Sequence, residues 1–143
     1  MQFNNALERQ IGGNHYKGFA IQPVEYSHFN QLSFLVGCVI KRIARYNQPT
    51  GKGQQDLEKA LHEIDLLLQL NDEMYDEPNA YLSSAVSLKI NPFQFCFANH
   101  FNEWQRDIVH RVTLYNRIEG EGTDDLMEAK RTIMRLMQIA YPA

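Results

Sequence analysis

Residues 21–70 read "IQPVEYSHFNQLSFLVGCVIKRIARYNQPTGKGQQDLEKALHEIDLLLQL", and the chain repeats this stretch once. Shifted by 69 residues, this stretch lies without a gap over residues 90–139, "INPFQFCFANHFNEWQRDIVHRVTLYNRIEGEGTDDLMEAKRTIMRLMQI". Fourteen of the 50 overlaid positions are identical, where average composition would give about three. Self-similarity at a fixed period indicates a duplicated unit. We call the two copies repeat 1 (about 21–70) and repeat 2 (about 90–140).

Each repeat shows apolar residues at three- and four-residue spacing, which is typical of helices with one buried face. The predicted helices are a short one opening at Pro23 or Pro92, a second at about 32–46 or 102–115, and a third at about 54–71 or 123–140. Asn47 and Asn116 suit left-handed helix caps. No segment alternates with period two as a strand would. The sequence therefore predicts an all-α fold, with two tandem three-helix repeats packed around a pseudo-twofold axis.

The remaining segments and the bulk composition limit the function. We predict an N-terminal arm at 1–20, a linker at 71–89 and a second unit at 90–143. The net charge of −3 argues against general nucleic-acid binding. No signal sequence or membrane-spanning run is evident, and Cys38 and Cys96 form no CxxC pair, so we expect a cytoplasmic protein without a membrane partner. The histidines show no metal-ligand spacing, and no metal site is predicted.

The repeats differ most in their cations. Residues shared by both copies serve the fold, whereas residues kept in one copy are available for function. The replacements from repeat 1 to repeat 2 are Lys41 to His110, Arg45 to Leu114, Lys52 to Glu121 and Lys59 to Glu128. Cations that converge from a helix, a glycine loop and a second helix would suit a phosphate group. The alternative is an ordinary solvated helix face.

Two charged pairs are shared by the repeats. Arg42 and Asp56 recur as Arg111 and Asp125. Because each pair joins the second and third helices of its unit, we predict a structural ion pair in both copies. The "TGKG" segment around Lys52 lacks the GxxxxGK[ST] pattern and a preceding strand, so it is no P-loop.

The run "HYKGFAIQPVEYSHFNQLSFLVGCVIKRIARY…QQDLEKALHEIDLLL" resembles the SaV-like family of small phage proteins, long of unknown function. The resemblance covers residues 14–70, with a degenerate second copy at 90–141. The matching positions are His15–Tyr16, Ile21–Pro23, Gly37, Ile40–Lys41, Arg45, Asp56–Leu57 and Lys59–Ala60. The departures are Cys38 for asparagine, Arg42 for tyrosine and Gln55 for glutamate.

The family includes the small nucleotide kinases of podoviral coliphages, which phosphorylate deoxynucleoside monophosphates without a P-loop. The resemblance therefore implies a nucleotide-binding, kinase-like phage protein in the cytoplasm of an infected bacterial host. It implies a nucleoside triphosphate as phosphate donor, with or without Mg²⁺, and at most one active copy per chain. We also expect a homo-oligomer, because small helical units often associate.

Candidate roles follow from that implied activity. The predicted catalytic residues are His15, Lys41, Arg45 and Asp56, with Lys41 and Arg45 on phosphate oxygens and His15 and Asp56 orienting the acceptor. The predicted substrate-binding residues are Tyr16, Arg42, Lys52 and Lys59, with Tyr16 stacking on the base and the two lysines holding the donor.

Two other functions stay open. A non-catalytic phage protein could inhibit a host enzyme or defence complex, or sequester a signalling nucleotide. Aromatic residues at 93–104 would favour such an interface, although the same residues would suit a second core. They are Phe93, Phe95, Phe97, Phe101 and Trp104. A helical nucleotide pyrophosphohydrolase would need several carboxylates on facing helices for Mg²⁺, but Glu58, Glu63 and Asp65 do not share one helix face.

Overall fold

The computed structural model of the protein describes residues 5–8, 18–73 and 87–143. Its elements are a 3₁₀ turn at Ala6–Glu8 and the helices α1 (Pro23–Phe29), α2 (Phe34–Arg45), α3 (Gln54–Glu73), α4 (Pro92–Ala98), α5 (Glu103–Leu114) and α6 (Thr123–Ala140). Within these ranges no strand occurs, and the all-α class is confirmed. The predicted roles of His15 and Tyr16 fall on residues outside the described ranges.

The helix bounds repeat as the sequence does. Adding 69 to the bounds of α1 and α2 gives those of α4 and α5, and Gln54 plus 69 gives Thr123, where α6 begins. Pro23 and Pro92 both occupy the first turn, where the missing N–H costs nothing. The start of α5 has a capping box, in which Asn102 and Gln105 each accept a hydrogen bond from the other's backbone N–H at 2.8–2.9 Å.

The helix ends differ from the prediction. Neither Asn47 nor Asn116 has a positive φ; among non-glycine residues of the described ranges, Gln31 and His100 do, at 52° and 56°. After α2 the chain continues in tight turns, since Gln48 N donates to the Arg45 carbonyl and Gly51 N to the Gln48 carbonyl, both at 2.9 Å. The first of these bonds satisfies the Arg45 carbonyl, which has no partner within α2.

One hydrophobic core joins the repeats, with α2 packed on α5 and α3 on α6. Tyr26 stacks on Phe95, its own counterpart 69 residues later, with ring centroids 4.1 Å apart. Asn30 exchanges two hydrogen bonds with the backbone of Ile90, at 2.7 and 2.8 Å. Asn99 makes the same exchange with Ile21, at 3.2 and 2.8 Å. This reciprocity is what two-fold packing requires and supports the predicted pseudo-twofold axis, which stays a prediction.

Candidate functional site

Arg45 and Asp56 form a buried ion pair between α2 and α3. Arg45 Nε and Nη2 donate to Asp56 Oδ1 at 2.9 and 2.8 Å, and the backbone N–H of Lys52 donates to Oδ2 at 2.9 Å. Asp56 is fully buried and Arg45 is 8% exposed. Both carboxylate oxygens are therefore engaged in holding the loop between the two helices.

Gly51 makes that tight loop possible. A Cβ at this position would lie 1.9 Å from the Arg45 carbonyl oxygen, and at Gly120 it would lie 1.7 Å from the Leu114 carbonyl oxygen. No side chain fits at such distances, which explains why this glycine is shared by the repeats. The loop, the aspartate and its backbone donor recur, since Glu121 N donates to Asp125 Oδ2 at 2.7 Å.

The predicted pairing of Arg42 with Asp56 is wrong, whereas that of Arg111 with Asp125 is confirmed at 3.1 Å. Arg42 Nε instead lies 3.3 Å from Glu63 Oε1 on α3. The reason is Arg45, one turn closer to the loop, which takes Asp56 in repeat 1. Repeat 2 has Leu114 at that position, and the arginine one turn earlier pairs with the aspartate.

Cys38 lies beside the Arg42–Glu63 pair. Burial raises the pKa of the Cys38 thiol, and the negative charge of Glu63 raises it further. The thiol is therefore protonated and a weak nucleophile at neutral pH. Cys38 contributes a small side chain here and no thiolate chemistry.

Lys41 lies on the wall of a pocket between the first two helices, which we call the α1–α2 pocket. Its volume is about 380 Å³, within the range of small-molecule sites. The pocket is lined by Pro23, Val24, Ser27, His28, Leu32, Ser33, Phe34, Gly37, Cys38 and Lys41. Lys41 forms no ion pair with any described residue, so its ammonium can meet a ligand.

The structure thus separates the predicted cations of repeat 1. Arg42 and Arg45 are held by carboxylates, and Lys41 alone lines the α1–α2 pocket. Lys52 is exposed on the loop and Lys59 is half-buried on α3; neither lines this pocket. The sequence predicted that these cations converge on one phosphate group, and the structure does not bring them together in this way.

The sequence reasoning missed the rest of this pocket. Phe34, Gly37, Cys38 and Lys41 follow one another at i, i+3, i+4 and i+7 on one face of α2. Gly37 lets α1 approach, because a Cβ there would lie 3.3 Å from Ser27 Oγ. A glycine inside a helix costs about 1 kcal/mol relative to alanine, and that unusual choice is the signal that could have revealed the pocket.

In repeat 2 two of the three equivalent positions carry larger side chains, and the lysine becomes histidine. Gly37, Val24 and Lys41 correspond to Arg106, Phe93 and His110. The Phe93 and His110 rings meet edge to face with centroids 4.4 Å apart. Arg106 Nη1 donates to the Phe101 carbonyl at 3.0 Å, and Phe101 is the counterpart of Leu32. These side chains occupy positions that line the pocket in repeat 1.

Repeat 2 has a different cleft, at the positions equivalent to the predicted cation site. Its volume is about 330 Å³, and it is lined by Asp107, His110, Arg111, Leu114, Glu119, Glu121 and Asp125. Four carboxylates on this wall would repel a phosphate group. Within the described part of the chain, no group of three metal-ligating side chains is placed to hold a metal ion.

No protein-family model, curated protein or solved structure matches the chain. Among the described residues, no helix is long and apolar enough to cross a membrane.

Proposed function

We propose that the protein binds a nucleotide in the α1–α2 pocket and acts as a nucleoside monophosphate kinase-like phage enzyme without a P-loop. One observation carries this proposal: Lys41, which differs between the repeats, lies on the wall of a pocket of ligand size and forms no ion pair with a described residue. The sequence resemblance to phage nucleotide kinases supports the same assignment. The setting would be the cytoplasm of an infected bacterial host.

The chemistry asks little of the protein beyond positioning and charge. Phosphoryl transfer proceeds when the phosphates are held in line and their developing charge is neutralised. Lys41 would bind phosphate oxygens of the acceptor. Lys52, exposed on the next loop, would approach a nucleoside triphosphate donor and any Mg²⁺ it carries. The buried Arg45–Asp56 pair would fix that loop relative to α2.

A phosphoryl-transfer assay tests the proposal. The purified chain is incubated with each of the four common deoxynucleoside monophosphates and radiolabelled ATP, with and without Mg²⁺. We expect labelled diphosphate from at least one acceptor, and a large loss of product with Lys41→Gln. Lys89 is an exposed lysine that does not line the pocket, so Lys89→Gln is the matched control and should keep full activity.

Two results would contradict the proposal. Absence of product together with absence of nucleotide-dependent stabilisation would exclude both catalysis and binding. Tight binding of a nucleotide without turnover would instead indicate a protein that sequesters nucleotides.

A second candidate is a non-catalytic protein that binds a host enzyme or defence complex. The supporting observation is the exposure of Phe97 and Phe93, at 83% and 68%. Exposed aromatic residues on one helix favour a protein interface. The other aromatic residues of this region belong to the core, since Phe95 and Phe101 are buried and Trp104 packs on the core.

Affinity capture from a host lysate tests this candidate. We expect a captured protein to be lost with Phe97→Ser and kept with Phe34→Ser, which removes an equally exposed phenylalanine from repeat 1. Capture unaffected by either substitution would contradict an interface on α4.

A further inference from the structure

A second cavity of repeat 1 lies at the C-terminal ends of α2 and α4, and we call it the α2–α4 cavity. Its volume is about 330 Å³, within the range of small-molecule sites. It is lined by Gly18–Ala20, which precede α1, by Gln48, which follows α2, and by Ala98–His100 at the end of α4. None of these residues lines the α1–α2 pocket, so the two cavities are separate.

The equivalent place in repeat 2 is occupied by the side chain of Arg117, the counterpart of Gln48. Arg117 Nε donates to the Thr113 carbonyl at 3.3 Å, and Nη2 donates to the Asn30 carbonyl at 3.2 Å. Arg117 is 8% exposed, and Asn30 is fully buried. The guanidinium group therefore lies between the C-terminal ends of α5 and α1 and contacts a main-chain carbonyl of each.

Repeat 1 has the same backbone at this place with a shorter side chain. Gln48 N donates to the carbonyl three residues earlier at 2.9 Å, and its counterpart in repeat 2 does the same at the same distance. The carbonyls equivalent to the two acceptors belong to Ala44 and Asn99. Main-chain acceptors do not depend on the side chain that a residue carries. Asn99 is half-buried where its counterpart is fully buried, because glutamine is too short to cover it as arginine does.

We propose that the α2–α4 cavity binds one guanidinium group of a ligand, in the position that Arg117 has in repeat 2. An arginine side chain of a polypeptide and a small guanidino compound share this group. Carbonyl oxygens at the C-terminal ends of helices carry partial negative charge and favour a cation. A guanidinium suits two separate acceptors better than an ammonium, because its N–H donors lie in one plane and point in fixed directions.

A titration of the ¹⁵N-labelled full chain, followed by amide chemical shifts, tests this binding. The probes are N-acetyl-L-arginine amide, which represents arginine within a peptide, and free L-arginine. We expect saturable shifts at Gln48, Asn99 and His100 and none at Asn30 and Gln31, where Arg117 already occupies the site. Tighter binding of either probe supports the proposal and indicates whether the ligand is a peptide or a small guanidino compound.

The lysine analogue separates a guanidinium site from a general preference for cations. N-acetyl-L-lysine amide, used at the same ionic strength, should bind at least about tenfold more weakly than its arginine counterpart. Equal affinity for the two probes would overturn the proposal. Equal shifts in both repeats, or no saturable binding of any arginine probe, would also overturn it.

A variant that copies repeat 2 into repeat 1 locates the site. Gln48 is half-buried, so Gln48→Arg is expected to fold. It should raise the melting temperature and abolish binding of the arginine probes, because the chain then supplies its own guanidinium. Gln55→Arg is the matched control, since it adds an arginine at an exposed position of α3 that does not line the cavity, and it should leave probe binding unchanged.

The location has its own contradicting result. If Gln48→Arg binds the arginine probes as tightly as the parent does, the guanidinium lies elsewhere and the proposal is wrong. None of these outcomes changes the result of the phosphoryl-transfer assay, so nucleotide binding and guanidinium binding can fail separately.

Discussion

Repeat 1 and repeat 2 stabilise the same arrangement of helices with different polar groups. Both fix the loop between their last two helices through a buried aspartate that accepts a backbone hydrogen bond. Repeat 1 pairs this aspartate with Arg45, whereas repeat 2 pairs it with Arg111, one turn earlier in its unit. The aspartate therefore has the same role in both repeats, whereas its arginine partner comes from a different position on the second helix of each unit.

A second exchange lies next to the first. In repeat 1 the acid is Glu63 on α3 and its neighbour on α2 is Cys38. In repeat 2 the acid is Asp107 on α5, and Thr132 on α6 donates to it at 2.7 Å. Each repeat therefore keeps one carboxylate beside the shared arginine. That carboxylate lies on α3 in repeat 1 and on α5 in repeat 2. Compensated positions of this kind serve stability. Lys41 has no such compensation among the described residues, which is why we propose a ligand contact for it.

The largest expected effect separates the two aspartates. Asp56→Ala leaves the buried Arg45 guanidinium without its carboxylate and should lower the free energy of unfolding by about 3–5 kcal/mol. Asp125→Ala should cost about 1–2 kcal/mol, because Arg111 is one-third exposed and keeps Asp107. Urea denaturation measures both. Equal losses would contradict the different roles given to the two arginines.

The next effect tests the contact between the repeats. Asn30→Ala leaves the Ile90 N–H and carbonyl without their partner and should cost about 2–3 kcal/mol. Asn99→Ala breaks the reciprocal pair at Ile21 and should cost less, since Asn30 is fully buried and Asn99 is not. Thermal unfolding followed by circular dichroism checks the order. A neutral Asn30→Ala would contradict the reciprocal contact.

A smaller effect concerns the cysteine of α4. Burial raises the pKa of the Cys96 thiol from 9.0 to about 12. Between these values the unfolded chain loses the thiol proton and the folded chain keeps it, so stability is full below pH 9 and falls as the pH rises. The expected slope is about 1 kcal/mol per pH unit.

Cys96→Ala should remove that part of the alkaline loss, as measured by denaturant titrations at pH 8, 9 and 10. The pKa of Tyr26, raised by burial, adds a loss at still higher pH that the variant retains. Identical pH dependence in the parent and the variant would show that the Cys96 thiol is accessible to solvent.

The smallest effect on folding is expected at Lys41, the residue on which the proposed ligand binding depends most. Lys41→Gln should change the free energy of unfolding by less than about 0.5 kcal/mol, since Lys41 has no ion pair with any described residue. A destabilisation above 1 kcal/mol in urea would show that Lys41 serves the fold.

The all-α class and the helix positions could be predicted because they depend on local periodicity and on the repeat. Pro23 and Gly51 were informative for the same reason, since their backbone requirements recur at Pro92 and Gly120. The partner of each arginine could not be predicted, because Arg42 and Arg45 lie one turn apart on α2 and only three-dimensional packing decides which of them reaches Asp56.

The α1–α2 pocket was also not predicted from the sequence. The sequence pattern favoured Arg45 and Asp56 as site residues. Their burial as an ion pair depends on how α2 packs on α3, which the sequence does not show. The resemblance to phage kinases included Gly37 as a matching position, yet its meaning depends on the approach of Ser27 on the preceding helix. The exposed ring of Phe34 was masked by its position inside an apolar run.

We propose that repeat 1 alone binds a nucleotide, at the face of α2 that runs from Phe34 to Lys41. Amide chemical shifts of ¹⁵N-labelled protein during titration with a deoxynucleoside monophosphate test it most directly. We expect saturable shifts at Gly37, Cys38 and Lys41 and none at their counterparts Arg106, Asp107 and His110. Equal shifts in both repeats, or shifts confined to repeat 2, would contradict it.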